Sequence, residues 1–86
     1  MAAHLTFKER ERFKQRLHSS LRNAGFDPKS PSQIRTAFVG KNNSSNISLT
    51  AIHRWLGGES LPDSQNMKIV ADICNVCPEW LRSGLT

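Results

Sequence analysis

The chain is cut into five short stretches by residues that stop helices or form turns. Gly25, Asp27-Pro28, the run from Gly40 to Asn46, Gly57-Gly58, Leu61-Pro62 and Cys77-Pro78 do the cutting. Between these breaks, apolar residues return every three or four positions, the period of a helix with one buried face. No stretch carries the strict alternation of a strand. Isolated helices shorter than ~12–15 residues are marginal in water, so such pieces persist only if packed on one another. The expected class is all-α: a compact bundle of five short helices.

Each stretch has its own start and stop signals. Thr6-x-x-Glu9 has the form of a capping box and opens the first helix. Phe13, Leu17, Leu21 and Ala24 recur along it at helical spacing, and Gly25 closes it. Ser30, Pro31 and Gln33 predict a second capped start, with Ile34, Ala37 and Phe38 facing inward and an end near Val39-Gly40. Lys41 to Asn46 then reads as a loop, being polar and rich in turn formers. Ser48 caps a third helix that runs to about Gly57, with Ile52, Trp55 and Leu56 inward. Pro62-Asp63-Ser64 opens a fourth, with Met67, Val70, Ala71 and Cys74 on its buried stripe and Asn75 in the left-handed conformation at its end. Cys77-Pro78 starts a fifth, which Trp80 and Leu81 pack against the core.

Eighty-six residues, 37% of them hydrophobic, suit a single domain over 1–86, with 1–5 as a flexible tail. A chain of this size has no depth for a large enclosed catalytic pocket. No apolar run approaches the ~20 residues of a membrane span. Charge soon after Phe7 argues against a signal peptide, so the expected location is cytoplasmic. The net charge of +5 is unevenly spread. Residues 1–54 carry ten Lys or Arg against three Asp or Glu, a balance of +7, and residues 55–86 carry two against four, a balance of −2. One basic side suits a polyanionic partner, although a solvated first helix would give the same count. Cys74 and Cys77 form a lone C-x-x-C that could serve redox chemistry or half of a zinc site. His4, His18 and His53 are scattered, so no suitably spaced pair supplies the remaining ligands of such a site.

In order and spacing, several of these segments resemble the phage lambda repressor and Cro-like family of helix-turn-helix DNA-binding domains. The likeness covers roughly residues 8–85. Its most specific part is Ile47 to Gly58, which looks like the family's recognition helix: a hydroxyl N-cap at Ser48, buried Ile52 and Trp55, and a terminal Gly. Leu61-Pro62 with Met67, Val70 and Ala71 resembles the start of the fourth helix. Val76-Cys77-Pro78-Glu79-Trp80-Leu81 resembles the family's closing Val-Ser-Pro-x-Trp-Leu element. On this likeness Cys74 replaces a buried Leu and Cys77 an N-capping Ser. Two departures stand out. Gly40 to Asn46 lengthens a normally tight turn, and Arg35 follows Ile34 where the family often has a small Ala.

The resemblance implies double-stranded DNA as partner, read by a recognition helix at about 48–57 lying in the major groove. The matching base-reading positions are Leu49, Thr50 and Arg54, with His53 a weaker candidate. Arg suits guanine O6 and N7; the Thr50 methyl or the Leu49 side chain suits a thymine methyl. Phosphates would be held at helix N-termini by Ser30, Ser32, Gln33 and Ser48, and from the long loop by Lys41, Asn42 and Asn43. A single such module covers only about 600–1,000 Å² of DNA contact, and relatives bind two-fold symmetric operators as dimers. A homodimer is therefore expected, with Trp80, Leu81 and Leu85 as its contact. The implied role is transcriptional regulation, with repression by blocking a promoter in a bacterial or phage setting.

Other readings of the same residues stay open at this point. Arg54 could be a solvated cation, Leu49 could pack on the long loop, and that loop could simply face solvent. An antitoxin or adaptor whose main partner is a protein would use the same fold. A zinc or redox enzyme built on Cys74 and Cys77 is the distant third. No Ser, Asp or second His is spaced as a triad partner for His53. The expectation is no enzyme, no cofactor or metal, no membrane and no small-molecule ligand.

Overall fold

A computed structural model describes residues 6–41 and 47–84; the expected flexible tail at 1–5 lies outside them. Among the described residues the protein is all-helical. The helices are α1 (Phe7–Asn23), α2 (Pro31–Lys41), α3 (Leu49–Leu56), α4 (Ser64–Cys74) and α5 (Pro78–Ser83). No described helix is long and apolar enough to cross a membrane.

Local chemistry sets most of the helix ends. Thr6 Oγ1 accepts the Glu9 N–H at 3.1 Å and Glu9 Oε1 accepts the Thr6 N–H at 2.9 Å, so the first capping box is complete. Ser48 Oγ accepts the Ala51 N–H at 3.1 Å, and Asp63 Oδ1 accepts the Asn66 N–H at 2.8 Å. Asn75 ends α4 in the left-handed conformation at φ 59°. The second expected capping box does not form. The Ser30 N–H donates instead to the Asp27 carbonyl, and Gln33 Oε1 accepts the Asp27 N–H at 2.8 Å. Gln33 thus ties the α1–α2 loop to α2 rather than closing on its own helix. Cys77 holds the N-cap position of α5 without a side-chain hydrogen bond. A thiol is a weak acceptor, and Pro78 at the first helical position supplies the preset φ.

The inward positions of all five helices meet in one cluster, in which Phe13, Leu21, Ala71, Phe38 and Leu81 are fully buried. α1 lies against α3, α4 and α5; α2 packs on α3 and α4; α4 packs on α5. Two details differ from the periodic pattern. Ala24 is exposed because it is the C-cap of α1 rather than part of its buried stripe. Ile73, beside Cys74, is buried as well. Each side-chain cap is worth about 1 kcal/mol, whereas truncating a buried Phe costs about 3–5 kcal/mol. The shared core, more than the caps, keeps the helices together.

The turn after α3 is constrained by backbone geometry. Gly58 is buried, adopts φ +73°, and a Cβ there would stand 3.3 Å from both the Arg10 carbonyl oxygen and Lys14 Cβ. Gly40, within α2, has no positive φ, and a Cβ there would meet nothing within 4 Å. Gly58→Ala should lose at least about 1–2 kcal/mol from the left-handed conformation alone. Gly40→Ala should gain about 0.5 kcal/mol from the better helix former. Urea denaturation of the two variants checks this, and a neutral Gly58→Ala would contradict the account.

Candidate nucleic-acid interface

α3 is divided lengthwise. Ile52, Trp55 and Leu56 are buried, while Leu49, Thr50, His53 and Arg54 are all exposed. Positions 49 and 53, and 50 and 54, are each four apart and so lie one above the other on the helix surface. The four side chains therefore form one continuous strip. Leu49 is 43% exposed, an apolar side chain that the core does not cover. At the start of this strip Ser48 Oγ takes the Ala51 N–H. The Leu49 and Thr50 N–H groups, at the first two helical positions, have no acceptor within an α-helix and point off its end. That end carries the positive pole of the helix dipole.

α2 lies beside α3. The Phe38 and Trp55 rings are 5.9 Å apart, centroid to centroid, tilted by 43°. Arg35 Nε donates to the Ile47 carbonyl at 3.0 Å, so an exposed guanidinium of α2 fastens the backbone next to the α3 N-cap. At the start of α2, Ser32 and Gln33 are exposed and Ser30 is half-buried. With its Oε1 engaged by Asp27, Gln33 keeps an amide NH₂ to donate outward. Thr36, one turn beyond Ser32, is exposed and donates to the Ser32 carbonyl at 2.9 Å; the helical spacing from Ser32 was the available signal for it.

Several expected site residues are placed elsewhere. Lys41 is not in a loop but is the last residue of α2, and its Nζ lies 3.1 Å from Asp72 Oδ2 on α4. Leu81 is 0% exposed and belongs to the core, so it offers no dimer surface on the folded chain. Trp80 is half-buried against that core. Asn42, Asn43 and Leu85 lie outside the described residues. Two α1 side chains have roles that local pattern does not reveal. Arg16 donates through Nε to the Leu81 carbonyl at 3.0 Å and through Nη2 to the Arg82 carbonyl at 2.9 Å. His18 Nε2 lies 2.7 Å from the Leu56 carbonyl, which requires the proton on that nitrogen. These bonds close the carbonyl ends of α5 and α3, so both side chains serve the bundle.

Both cysteines are free thiols; Cys74 is buried and Cys77 exposed. Among the described residues no three His, Cys, Asp or Glu side chains come together as metal ligands. No protein-family model, curated protein or solved structure matches the chain.

Burial pushes the Cys74 thiol up to about 11 from an ordinary value of 9.0. Between those values the unfolded chain loses a proton that the folded chain keeps. Stability is therefore fully present below about pH 9 and falls as pH rises toward 11. Thermal melts across this range should show a decline that is shallower in Cys74→Ala than in the wild type. In native buffer a thiol reagent should modify Cys77 promptly and Cys74 only on unfolding.

Proposed function

We propose that the protein is a sequence-specific double-stranded DNA-binding regulator of the lambda repressor and Cro-like type, with α2 and α3 as a helix-turn-helix whose turn is lengthened. The observation that carries this reading is the strip Leu49, Thr50, His53 and Arg54, exposed on a helix whose opposite face is anchored by Ile52, Trp55 and Leu56. Rigid backing with polar and cationic side chains outward is what reading base edges requires. In this account Arg54 donates a bidentate pair to guanine, and Thr50 and Leu49 meet a thymine methyl. His53 touches a base or a phosphate. The N-termini of α2 and α3 hold phosphates through Ser32, the outward amide of Gln33 and the backbone N–H groups at Leu49 and Thr50, with Ser30 and the Ser48 hydroxyl beside them. Two copies on a two-fold symmetric operator would supply the affinity that one module lacks. Their contact would use the exposed part of Trp80 rather than Leu81. Bound there, it would repress by occupying a promoter.

Fluorescence anisotropy with the duplex upstream of its own gene and with a scrambled duplex, across a salt series, tests the reading. Arg54→Ala should weaken binding to the specific duplex by about 5- to 150-fold, the equivalent of about 1–3 kcal/mol, and leave binding to the scrambled duplex nearly unchanged. Gln33→Ala should weaken both to a similar degree. Weak, steeply salt-dependent binding to both duplexes, indifferent to Arg54→Ala, would overturn the proposal and point to a protein partner.

A further inference from the structure

The exposed strip of α3 is anchored unevenly along its length. The buried side chains Ile52, Trp55 and Leu56 all lie in the last five residues of the helix. The first turn carries the exposed Leu49 and Thr50 and a half-buried Ala51. Ile47 and Ala51 rest only partly against the core. In the DNA-binding account the first turn is the part that meets base edges, and it is the part the core holds least.

A polar tie reaches that end from α2. Arg35, exposed in the middle of α2, donates from Nε to the Ile47 carbonyl at 3.0 Å. Ile47 immediately precedes Ser48, whose hydroxyl accepts the Ala51 N–H and whose carbonyl accepts the Ile52 N–H at 3.3 Å. The first turn of α3 is thus linked, bond by bond, to a side chain of α2. A guanidinium is planar and rigid, so a bond through Nε fixes direction as well as distance.

The fold gives little reason for a cation at this place. The amino end of α3 is the positive pole of its dipole, where positive charge is disfavoured. No Asp or Glu occurs between Asp27 and Glu59, a span that holds all of α2 and α3 together with Lys29, Arg35, Lys41 and Arg54. Arg35 therefore has no carboxylate partner on either helix, and one exposed hydrogen bond adds only modestly to stability.

We infer that Arg35 is a positioning residue for base recognition, an inference that rests on the DNA-binding reading. Without touching a base, it sets the angle of the first turn of α3 to α2, and so the register in which Leu49 and Thr50 meet base edges. In that reading α2 contributes phosphate contacts and α3 contributes base contacts, so their mutual angle decides whether both are made at once. Phosphate contacts are alike on any sequence. A loosened angle therefore costs the sequence-dependent part of binding and spares the rest.

Two measurements on the full chain test this. Arg35→Gln and Lys29→Gln each remove one cation from the same acid-free span, so both should weaken binding to a scrambled duplex alike. On the duplex upstream of its own gene, Arg35→Gln should weaken binding about tenfold further, within the range for one lost base contact. Lys29→Gln should keep the wild-type ratio between the two duplexes. The second readout needs no DNA. Hydrogen exchange of the Ala51 and Ile52 amides should quicken several-fold in Arg35→Gln, with the Trp55 and Leu56 amides and the urea midpoint unchanged. An equal loss on both duplexes would make Arg35 a phosphate contact only, and unchanged exchange would mean that Ser48 and the core hold the turn alone. Either result would overturn the proposal, as would a lowered urea midpoint with all α3 amides quickened equally. A wild type without preference between the duplexes would sink the DNA-binding reading itself, and the exchange measurement would then decide by itself whether Arg35 positions the turn.

Discussion

The two shortest of the described helices, α3 and α5, are both completed by α1. α3 has eight residues and α5 six, below the length at which a helix gains by its own hydrogen bonds. Their last carbonyls have no partners within the helix. His18 meets the Leu56 carbonyl of α3, and Arg16 meets the Leu81 and Arg82 carbonyls of α5. A cationic or N–H donor at a helix C-terminus also complements the dipole there. The same helix contributes Phe13, Leu17 and Leu21 to the core directly under these bonds. α1 is therefore the template on which the shorter helices are set.

This arrangement explains why α3 has a face to spare. Ile52, Trp55 and Leu56 are held from beneath by the core, and Trp55 from the side by Phe38 of α2. With its C-terminus closed by His18 and its N-terminus by Ser48, α3 needs nothing from Leu49, Thr50, His53 or Arg54 to stay folded. Among the described residues no side-chain hydrogen bond or core packing engages those four side chains, so their chemistry can answer to a partner. An exposed Leu49 beside an exposed Arg54 costs the fold a little apolar exposure and fits a surface that must meet both methyl groups and polar edges. The proposed reading face follows from how the helix is anchored, not from any strain within it.

The parts legible in the sequence are those governed by neighbours within a helical turn. The Thr6–Glu9 box, the Asp63 cap, the left-handed Asn75 and Pro78 at a first helical position are local, and so is the division of α3 into two faces. What was not legible depends on residues distant in sequence. Gln33 fits a capping box by spacing, but the Asp27 N–H competes for its side-chain oxygen. Lys41 looks like loop by its neighbours, but α2 extends to include it and Asp72 of α4 lies within reach. Leu81 and Trp80 look equivalent on a short helix, yet only the packing of α1 and α4 on α5 decides that Leu81 is the one enclosed. Arg16 and His18 read as ordinary members of a charged helix because their partners lie 38 to 66 residues away.

The same geometry corrects the simplest reading of the charge. A balance of +7 over residues 1–54 suggests one broad basic face, but the cations of α1 are distributed around its circumference. Arg10 and Lys14 lie beside the Gly58 turn, Arg12 and Arg16 line the α5 edge, and Lys41 of α2 is drawn toward Asp72. Exposed pairs such as Lys41–Asp72 are worth at most about 1 kcal/mol, so that lysine can exchange partners, but Arg16 is anchored by two bonds. Net charge therefore overstates how many cations a duplex lying along α3 could meet at once. Under the proposed function, discrimination must come from the few side chains on the α3 strip and from the helix N-termini beside it, with the remaining charge acting at longer range and fading within a Debye length of about 10 Å at 0.1 M salt.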